Sequence, residues 1–284
     1  IVCLGDSNPH GYCADPADCA DGALQRFNEE ERWTCLLQKK LGEDYLVAEE
    51  GLSGRTTVFD DPLYEHLSAL DYLYPCLKSH EPVSLLIVML GTNDTKQRLG
   101  ANAYAIGLGL RRLVRKAQTV DCWGPGGTPN ILVIAPLPID PRVERSPVAQ
   151  EMGAGAVEKS QRLPGQFRAV AGETGCHFLD AAALGCAYNQ IDFMHLPRRS
   201  HADLAAGVVN LVLQAIGTMT VLACQSCHTD TVIVTGSMTT LDQAEPNFAA
   251  FEKLYGIHYV IPESATFATA IGAGLCSLRQ KSVK

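Results

Sequence analysis

The N-terminal stretch Ile1-Val2-Cys3-Leu4-Gly5-Asp6-Ser7-Asn8 decides the fold of this chain. Its first four residues are apolar and begin with β-branched side chains, which is typical of a buried parallel strand. Gly5 permits a sharp turn, so Ser7 is expected just beyond the carboxyl end of that strand. Because open α/β sheets bind ligands at this edge, Ser7 is a candidate nucleophile. For an isolated Gly-Asp-Ser, a serine that caps a helix is the simpler interpretation.

The rest of the chain predicts strands that alternate with helices. Further strands are predicted at residues 45–48, 85–90, 131–135 and 176–179. Helices are predicted at residues 31–41, 104–116, 148–171 and 202–216. This alternation indicates a parallel sheet with helices on both faces. Pro164-Gly165 is expected to kink or shorten its helix, and residues 8–30 are expected to form a loop.

Composition narrows the class of protein. The chain has 284 residues, of which 46% are hydrophobic, so it is long enough for a large core. A net charge of -8 without a run of lysine or arginine predicts neither nucleic acid nor a membrane as a partner. No apolar stretch is expected to reach the length of a membrane span. The 11 cysteines are scattered through apolar segments, which favours reduced thiols and a cytoplasmic location.

The start of the chain lacks the usual N-terminal signals. It opens directly on a strand, with neither an initiator methionine nor a charged and then apolar leader. We therefore expect that some N-terminal residues are missing, and a removed signal peptide is left open as an alternative.

Three later stretches place polar residues where strands are predicted to end or a helix to begin. They are Gly51-Leu52-Ser53-Gly54, Gly91-Thr92-Asn93-Asp94 and Asp192-Phe193-Met194-His195. Acyl transfer by a serine needs a histidine base, a carboxylate that orients the histidine, and donors for the oxyanion. An aspartate three residues before a histidine can bend back to the imidazole. Each stretch alone is weak, but together and in this order they indicate a serine hydrolase.

These blocks resemble the SGNH (GDSL-type) hydrolases. Over about residues 1–205 the similarity is closest to the arylesterase and acyltransferase branch, through Arg32-Trp33, Glu49-Glu50-Gly51-Leu52, Arg55-Thr56-Thr57, Asp60-Asp61-Pro62 and Met89-Leu90-Gly91-Thr92-Asn93-Asp94. The resemblance implies an α/β fold, a three-layer α/β/α sandwich around a flavodoxin-like parallel sheet. It also implies ester hydrolysis without a metal or a cofactor.

The resemblance assigns roles to residues of the motifs. Ser7 would be the nucleophile, His195 the base and Asp192 the partner that orients His195. The backbone N–H groups of Ser7 and Gly54 and the side chain of Asn93 would form the oxyanion hole.

Further substrate contacts are expected from Asp6, Thr92 and His10, the last as a loop residue at the mouth of the site. One departure from the branch concerns this mouth. Where the branch usually has an aromatic residue shortly after the nucleophile, this chain reads Pro9-His10-Gly11-Tyr12. The wall of the pocket is therefore not defined by the resemblance.

The last part of the chain is not explained by a hydrolase. A hydrolase domain is predicted over residues 1–216, followed by a small α/β extension over residues 217–284 with strands at 231–234 and 257–261 and helices at 244–255 and 267–278. The extension resembles the C-terminal end of type II pantothenate kinases through Thr235-Gly236-Ser237 and residues 267–273. Because no phosphate-binding half precedes it, we expect no phosphotransfer. Cys224-Gln225-Ser226-Cys227-His228 matches the haem-attachment pattern, but without an export signal no haem is expected.

The sequence therefore predicts a serine esterase that hydrolyses small, acetyl or short-chain esters through an acyl-enzyme. Acyl transfer to alcohols would be a related activity. Two alternatives stay open: a nucleotide-binding, kinase-like protein, suggested by the extension alone, and a non-catalytic interaction module. The expected partner is a small-molecule ester, and a homo-oligomer is left open.

Overall fold

The computed structural model describes residues 1–124 and 126–281, which form two compact units. The first unit consists of Ile1–Lys39 and Tyr45–Ala206. The second consists of the short segment Lys40–Asp44 and the chain from Gly207 onwards. The division falls ten residues before the predicted domain boundary at 216, and the boundary between functional domains stays a prediction.

The first unit is built on a five-stranded parallel sheet. Its strands are β1 (Val2–Gly5), β2 (Ala48–Gly51), β3 (Leu86–Met89), β4 (Ile131–Ala135) and β5 (His177–Asp180), in the order β2-β1-β3-β4-β5. The predicted α/β class with a central parallel sheet is confirmed. The second strand lies later than predicted, because its pairing with β1 joins Val2 to Ala48 and Gly5 to Gly51.

Helices alternate with the strands of this sheet. They are α1 (Ser7–His10), α2 (Trp33–Leu41), α3 (Ala69–Ser79), α4 (Ala103–Gln118), α5 (Ala149–Met152) and α6 (Ala156–Thr174), and α7 (Arg198–Cys227) begins in the first unit and continues into the second. In β3, Leu86 and Val88 belong to one buried cluster with side chains of α3, α4 and α6. Ile87 and Met89 are also fully buried but lie outside that cluster. Since neighbouring strand residues point to opposite faces, both faces of the sheet are covered.

The prediction that Pro164 shortens its helix is wrong, and a kink at Pro164 stays a prediction. Helix α6 is continuous from Ala156 to Thr174 with Pro164 inside it. A proline removes one backbone donor, and burial of Leu163 and Phe167 in the main core stabilises the helix on both sides of it. The predicted helix over 148–171 is interrupted earlier, between α5 and α6, where Gly153 and Gly155 have φ of +65° and +81°. These left-handed conformations suit glycine and end a right-handed helix.

Helix α7 is longer than the sequence predicted. It continues from Arg198 to Cys227, past the expected end at residue 216. By length and composition it could cross a membrane, since an 18-residue window has a mean hydropathy of 1.8 with 39% of it buried. The expectation that no apolar stretch reaches this length is therefore wrong. Core helices of water-soluble proteins pass the same test, and the absence of a membrane partner stays a prediction.

The second unit contains a two-stranded parallel sheet of β6 (Thr231–Ile233) and β7 (His258–Val260). Two helices accompany it, α8 (Ala244–Tyr255) and α9 (Ala268–Lys281). Its interior is aromatic: the ring of Phe248 stacks on Tyr259 at 5.0 Å between centroids. A small α/β extension was predicted, and its strands and helices begin within two residues of the predicted positions.

Candidate active site

Ser7 lies at the carboxyl edge of the sheet, directly after β1. It begins the four-residue helix α1, which stands where the sequence predicted a loop. The carboxylate of Asp6 caps this helix by accepting a hydrogen bond of 3.1 Å from the N–H of Asn8. This cap fixes the backbone of the turn that carries Ser7. Ser7 itself is only 5% exposed.

Ser7, His195 and Asp192 form a continuous chain of hydrogen bonds. The distance between Ser7 Oγ and His195 Nε2 is 2.7 Å, and that between His195 Nδ1 and Asp192 Oδ2 is 2.6 Å. Ser7 and His195 are 188 residues apart in the sequence. The structure therefore brings together the three residues for which the sequence predicted catalytic roles.

Asp192 is held as a carboxylate by donors from its own turn. Its Oδ1 accepts from the N–H groups of Met194 and His195, each at 3.0 Å, and from Asn189 Nδ2 at 2.6 Å. Burial acts to raise the pKa of Asp192, but the hydrogen bonds and charge of His195 outweigh burial and hold that pKa below its usual range. The carboxylate is thus ionised and available to orient the imidazole at neutral pH.

The predicted oxyanion donors surround the same space. Gly54 and Asn93 both line the cavity that contains Ser7. Gly54 has a φ of +88°, a conformation that side-chain-bearing residues rarely adopt. Asn93 Nδ2 donates to the carbonyl of Arg55 at 3.1 Å, which fixes the orientation of the amide while its second hydrogen is available. The N–H of Ser7 is at the first position of α1, where no intrahelical acceptor exists.

A buried contact joins the loops that carry Gly54 and Asn93. Both carboxylate oxygens of Asp94 accept from the N–H of Thr57, at 3.0 and 3.2 Å, and the Thr57 hydroxyl donates to the same group. Burial raises the pKa of Asp94 to about 6, partly offset by these hydrogen bonds. This contact fixes the two loops relative to each other, a role that the sequence motifs did not predict.

The cavity at Ser7 has a volume of about 410 Å³. Tyr12 forms part of its wall, with its ring centroid 4.6 Å from that of His195 and the planes tilted by 54°. The sequence left the aromatic wall undefined because Tyr12 follows the nucleophile by five positions. The turn at Gly11, where α1 ends, brings this ring back over the imidazole.

The three predicted substrate contacts are not in the cavity wall. Asp6 and Thr92 are buried beneath the site, and burial raises the pKa of Asp6 to about 6. Burial lowers the pKa of the half-buried His10 ring, and the backbone of Gly51 partly offsets this shift. None of the three lines the cavity, and contact of these residues with the substrate stays a prediction.

Two asparagines support the site and were missed from the sequence. Asn8 Oδ1 accepts from the N–H of Leu196 at 3.0 Å, so the nucleophile turn is tied to the histidine loop. Asn189 donates to Asp192 and to the carbonyl of His195. The spacing of Asn189 three residues before Asp192 is a turn signal that could have indicated this clamp.

Metal binding has no support in the described part of the chain. Within residues 1–124 and 126–281, no group of three or more His, Cys, Asp or Glu side chains is arranged to hold a metal ion. That the reaction needs neither metal nor cofactor stays a prediction.

Comparison with known proteins gives the family. Residues 3–206 match the model of the GDSL-like Lipase/Acylhydrolase family. No curated protein matches the chain. The chain therefore belongs to the GDSL-like Lipase/Acylhydrolase family and is a carboxylic ester hydrolase of that family.

Three solved structures illustrate the similarity. An aryl esterase from M. smegmatis is 35% identical with a TM-score of 0.65, over 73% of this chain and 95% of its own. A carbohydrate acetylesterase from Sinorhizobium meliloti is 35% identical with a TM-score of 0.66, over 75% and 98%. A putative arylesterase from Agrobacterium tumefaciens is 32% identical with a TM-score of 0.61, over 73% and 94%. None of these findings supports the resemblance of the extension to pantothenate kinases.

Proposed function

We propose that this chain hydrolyses small, short-chain carboxylic esters with Ser7 as the nucleophile, through an acyl-enzyme. The observation that carries the proposal is the hydrogen-bonded chain from Ser7 Oγ to His195 Nε2 and from His195 Nδ1 to Asp192. Ordered in this way, the imidazole can accept the hydroxyl proton at Nε2 while Asp192 stabilises the imidazolium that results.

The reaction has two halves. Ser7 Oγ attacks the ester carbonyl as its proton passes to His195, and the N–H groups of Ser7 and Gly54 with the Asn93 amide stabilise the oxyanion. His195 then returns the proton to the leaving alcohol, and the acyl group stays on Ser7. In the second half a water molecule attacks the acyl-enzyme as His195 takes its proton. The bond between the acyl carbon and Ser7 Oγ then breaks, His195 returns the proton to Ser7 Oγ, and the carboxylic acid leaves. An alcohol that replaces this water would give acyl transfer.

The comparisons support a choice among ester classes. The similar structures include proteins described as aryl esterases and as a carbohydrate acetylesterase. The cavity at Ser7, of about 410 Å³, has room for a small ester of either kind. We therefore propose acetyl and similarly short acyl esters of phenols or sugars as substrates.

Hydrolysis of p-nitrophenyl acetate by the full chain tests the proposal. Wild type should turn over this ester, and Ser7→Ala should reduce kcat on the order of 10⁴-fold or more, because no group remains to form the acyl-enzyme. Phenylmethylsulfonyl fluoride should label Ser7, as read by peptide mass mapping. Ser53→Ala is the matched control, since Ser53 lines the same cavity but the hydrogen bond of His195 Nε2 is with Ser7. An adduct on another serine would refute the assignment.

A further inference from the structure

One wall of the Ser7 cavity is built from charged side chains and separates it from a second cavity. Glu151 and Met152 line both the Ser7 cavity and a neighbouring cavity of about 720 Å³. Lys96 lines the first cavity and Arg98 the second. The side chain of Glu151 therefore lies where the two cavities would otherwise join.

Four charged side chains hold this partition, which we call the Glu151 wall: Asp61, Lys96, Arg98 and Glu151. Oε1 of Glu151 is 2.8 Å from Lys96 Nζ and 2.6 Å from Arg98 Nη2. Arg98 also donates to Asp61 Oδ2 at 2.7 Å, and Lys96 Nζ is 3.8 Å from the same oxygen. Two cations thus face two carboxylates, and the charges balance.

Displacing the Glu151 wall with an apolar group is unfavourable because Lys96 is buried. The side chains of Asp61 and Lys96 are 0% and 4% exposed, and those of Arg98 and Glu151 are 18% and 38% exposed. Moving the Glu151 carboxylate away leaves the buried Lys96 ammonium with only Asp61, at 3.8 Å, to compensate its charge. An alkyl chain can pack against the apolar residues of the Ser7 cavity, Leu67, Val148 and Met194, but it would have to break these ion pairs to go further.

The wall is attached to the oxyanion side of the site. The N–H of Lys96 donates to the carbonyl of Asn93 at 3.1 Å, so Lys96 follows the oxyanion donor by one turn. The leaving alcohol, in contrast, must reach His195 Nε2 to receive its proton. The acyl group is placed on the side of the Glu151 wall because the wall begins three residues after the oxyanion donor. Met152, beside Glu151, also packs with Met194, next to His195, so the test below includes esters that vary in the alcohol.

We propose that the Glu151 wall sets the maximum length of the acyl chain, so that Glu151 is a specificity-determining residue. This inference rests on the proposed function. If the wall is opened, acyl chains too long for the Ser7 cavity gain access to the second cavity. Each further methylene group that is buried should then improve kcat/KM by roughly fourfold.

The test compares p-nitrophenyl acetate, butyrate, hexanoate and octanoate in three proteins. Glu151→Ala removes the side chain that divides the cavities, and Glu151→Gln keeps its volume and its ability to accept from Lys96 and Arg98. The ratio of kcat/KM for octanoate to that for acetate should rise at least about tenfold in Glu151→Ala. In Glu151→Gln the ratio should stay within about twofold of wild type.

Thermal melting of each variant verifies that it is folded. Should Glu151→Ala not fold, Met152→Ala widens the same partition without breaking an ion pair and should raise the ratio in the same direction. A folded alanine variant with an unchanged ratio would overturn the inference, as would an equal rise in Glu151→Gln. The same three proteins are assayed with alkyl acetates whose alcohol increases in length. If kcat/KM of Glu151→Ala rose only in this second series, the inference would also be overturned, since the wall would then limit the alcohol. If the wild type hydrolysed none of these esters, the proposed function would be refuted instead.

Discussion

The chain contains two turns of similar sequence after parallel strands, and only one of them carries a site. Gly5-Asp6-Ser7 follows β1 of the five-stranded sheet, and its serine is buried against His195. Thr235-Gly236-Ser237 follows β6 of the two-stranded sheet, where Gly236 N–H donates to the carbonyl of Ala265. Among the described residues, no histidine or carboxylate forms a hydrogen bond with the Ser237 side chain.

Burial of the supporting strands explains the difference. All four residues of β3 are buried, whereas in β6 Thr231 and Ile233 are exposed. A sheet covered on both faces holds its strand ends rigidly, so loops from several strands can be fixed within tenths of an ångström of one another. The comparison indicates that a glycine-serine turn forms a candidate site only where distant loops pack around it.

The largest effect is expected at Asp192, because the Ser7 turn has a histidine and an aspartate hydrogen-bonded beside it and, within the described residues, the Ser237 side chain has neither. Asp192→Asn keeps the shape of the side chain but cannot stabilise the imidazolium, and its NH₂ group can force the wrong imidazole tautomer. We expect kcat for p-nitrophenyl acetate to fall on the order of 10⁴-fold. Asp242→Asn, an exposed aspartate of the second unit, should leave kcat unchanged. A fall of less than tenfold would mean that His195 does not depend on Asp192.

A smaller loss is expected at the oxyanion donor. Asn93→Ala should reduce kcat by about 100-fold to 1,000-fold with little change in KM, because the donor acts on charge that develops in the transition state. Asn247→Ala, whose amide donates to Asn210 in the second unit, provides the matched control. If the loss appeared in KM alone, Asn93 would bind the ground-state ester instead.

Substitution of one isoleucine in each sheet tests the difference in burial between the two sheets. Ile87 in β3 is 0% exposed and Ile233 in β6 is 66% exposed. Ile87→Ala leaves a cavity in a packed core and should lower the free energy of unfolding by about 2 to 5 kcal/mol. Ile233→Ala should change it by less than about 0.5 kcal/mol. Urea unfolding followed by circular dichroism provides both values, and equal losses would contradict the comparison.

The mildest effect concerns the pH dependence of stability. His201 is fully buried, its Nδ1 accepts from the N–H of Trp33 at 3.2 Å, and burial lowers its pKa to about 3. Because the folded pKa lies below the unfolded value of about 6.5, the stability contributed by neutral His201 is present above pH 6.5 and is lost as the pH falls towards 3.

His201→Gln retains an acceptor for Trp33 but does not titrate. Between pH 7 and pH 5, wild type should lose roughly 2 kcal/mol of unfolding free energy relative to this variant. Asp6 and Asp94, whose pKa values burial raises to about 6, act in the opposite direction, and they cancel in the comparison because both proteins contain them. A difference between the two proteins that did not vary with pH would exclude this role for His201.

Much of the fold followed from local sequence because its signals are local. The apolar run before Gly5 and the run at residues 85–90 correspond to β1 and β3, since a buried strand needs little besides apolar side chains. The error at Pro164 has the opposite origin: tertiary packing of Leu163 and Phe167 outweighs the local effect of a proline.

The candidate site was predictable in its reacting groups but not in its walls. Ser7 and His195 could be chosen because their chemistry is distinctive and each stands in a turn motif. Tyr12 and Glu151 could not, since an aromatic ring or a carboxylate in a loop has many uses. Their positions depend on a turn at Gly11 and on ion pairs with Lys96, which no short pattern encodes.

The separation of 188 residues between Ser7 and His195 has a consequence for synthesis of the protein. Ser7 follows β1, whereas His195 is synthesised only after β1 to β5. If these residues act as proposed, the Ser7 hydroxyl of a nascent chain lacks its proton acceptor until His195 leaves the exit tunnel, and it reacts like an ordinary serine. Esterase activity then begins only when the whole sheet is available to close around the site.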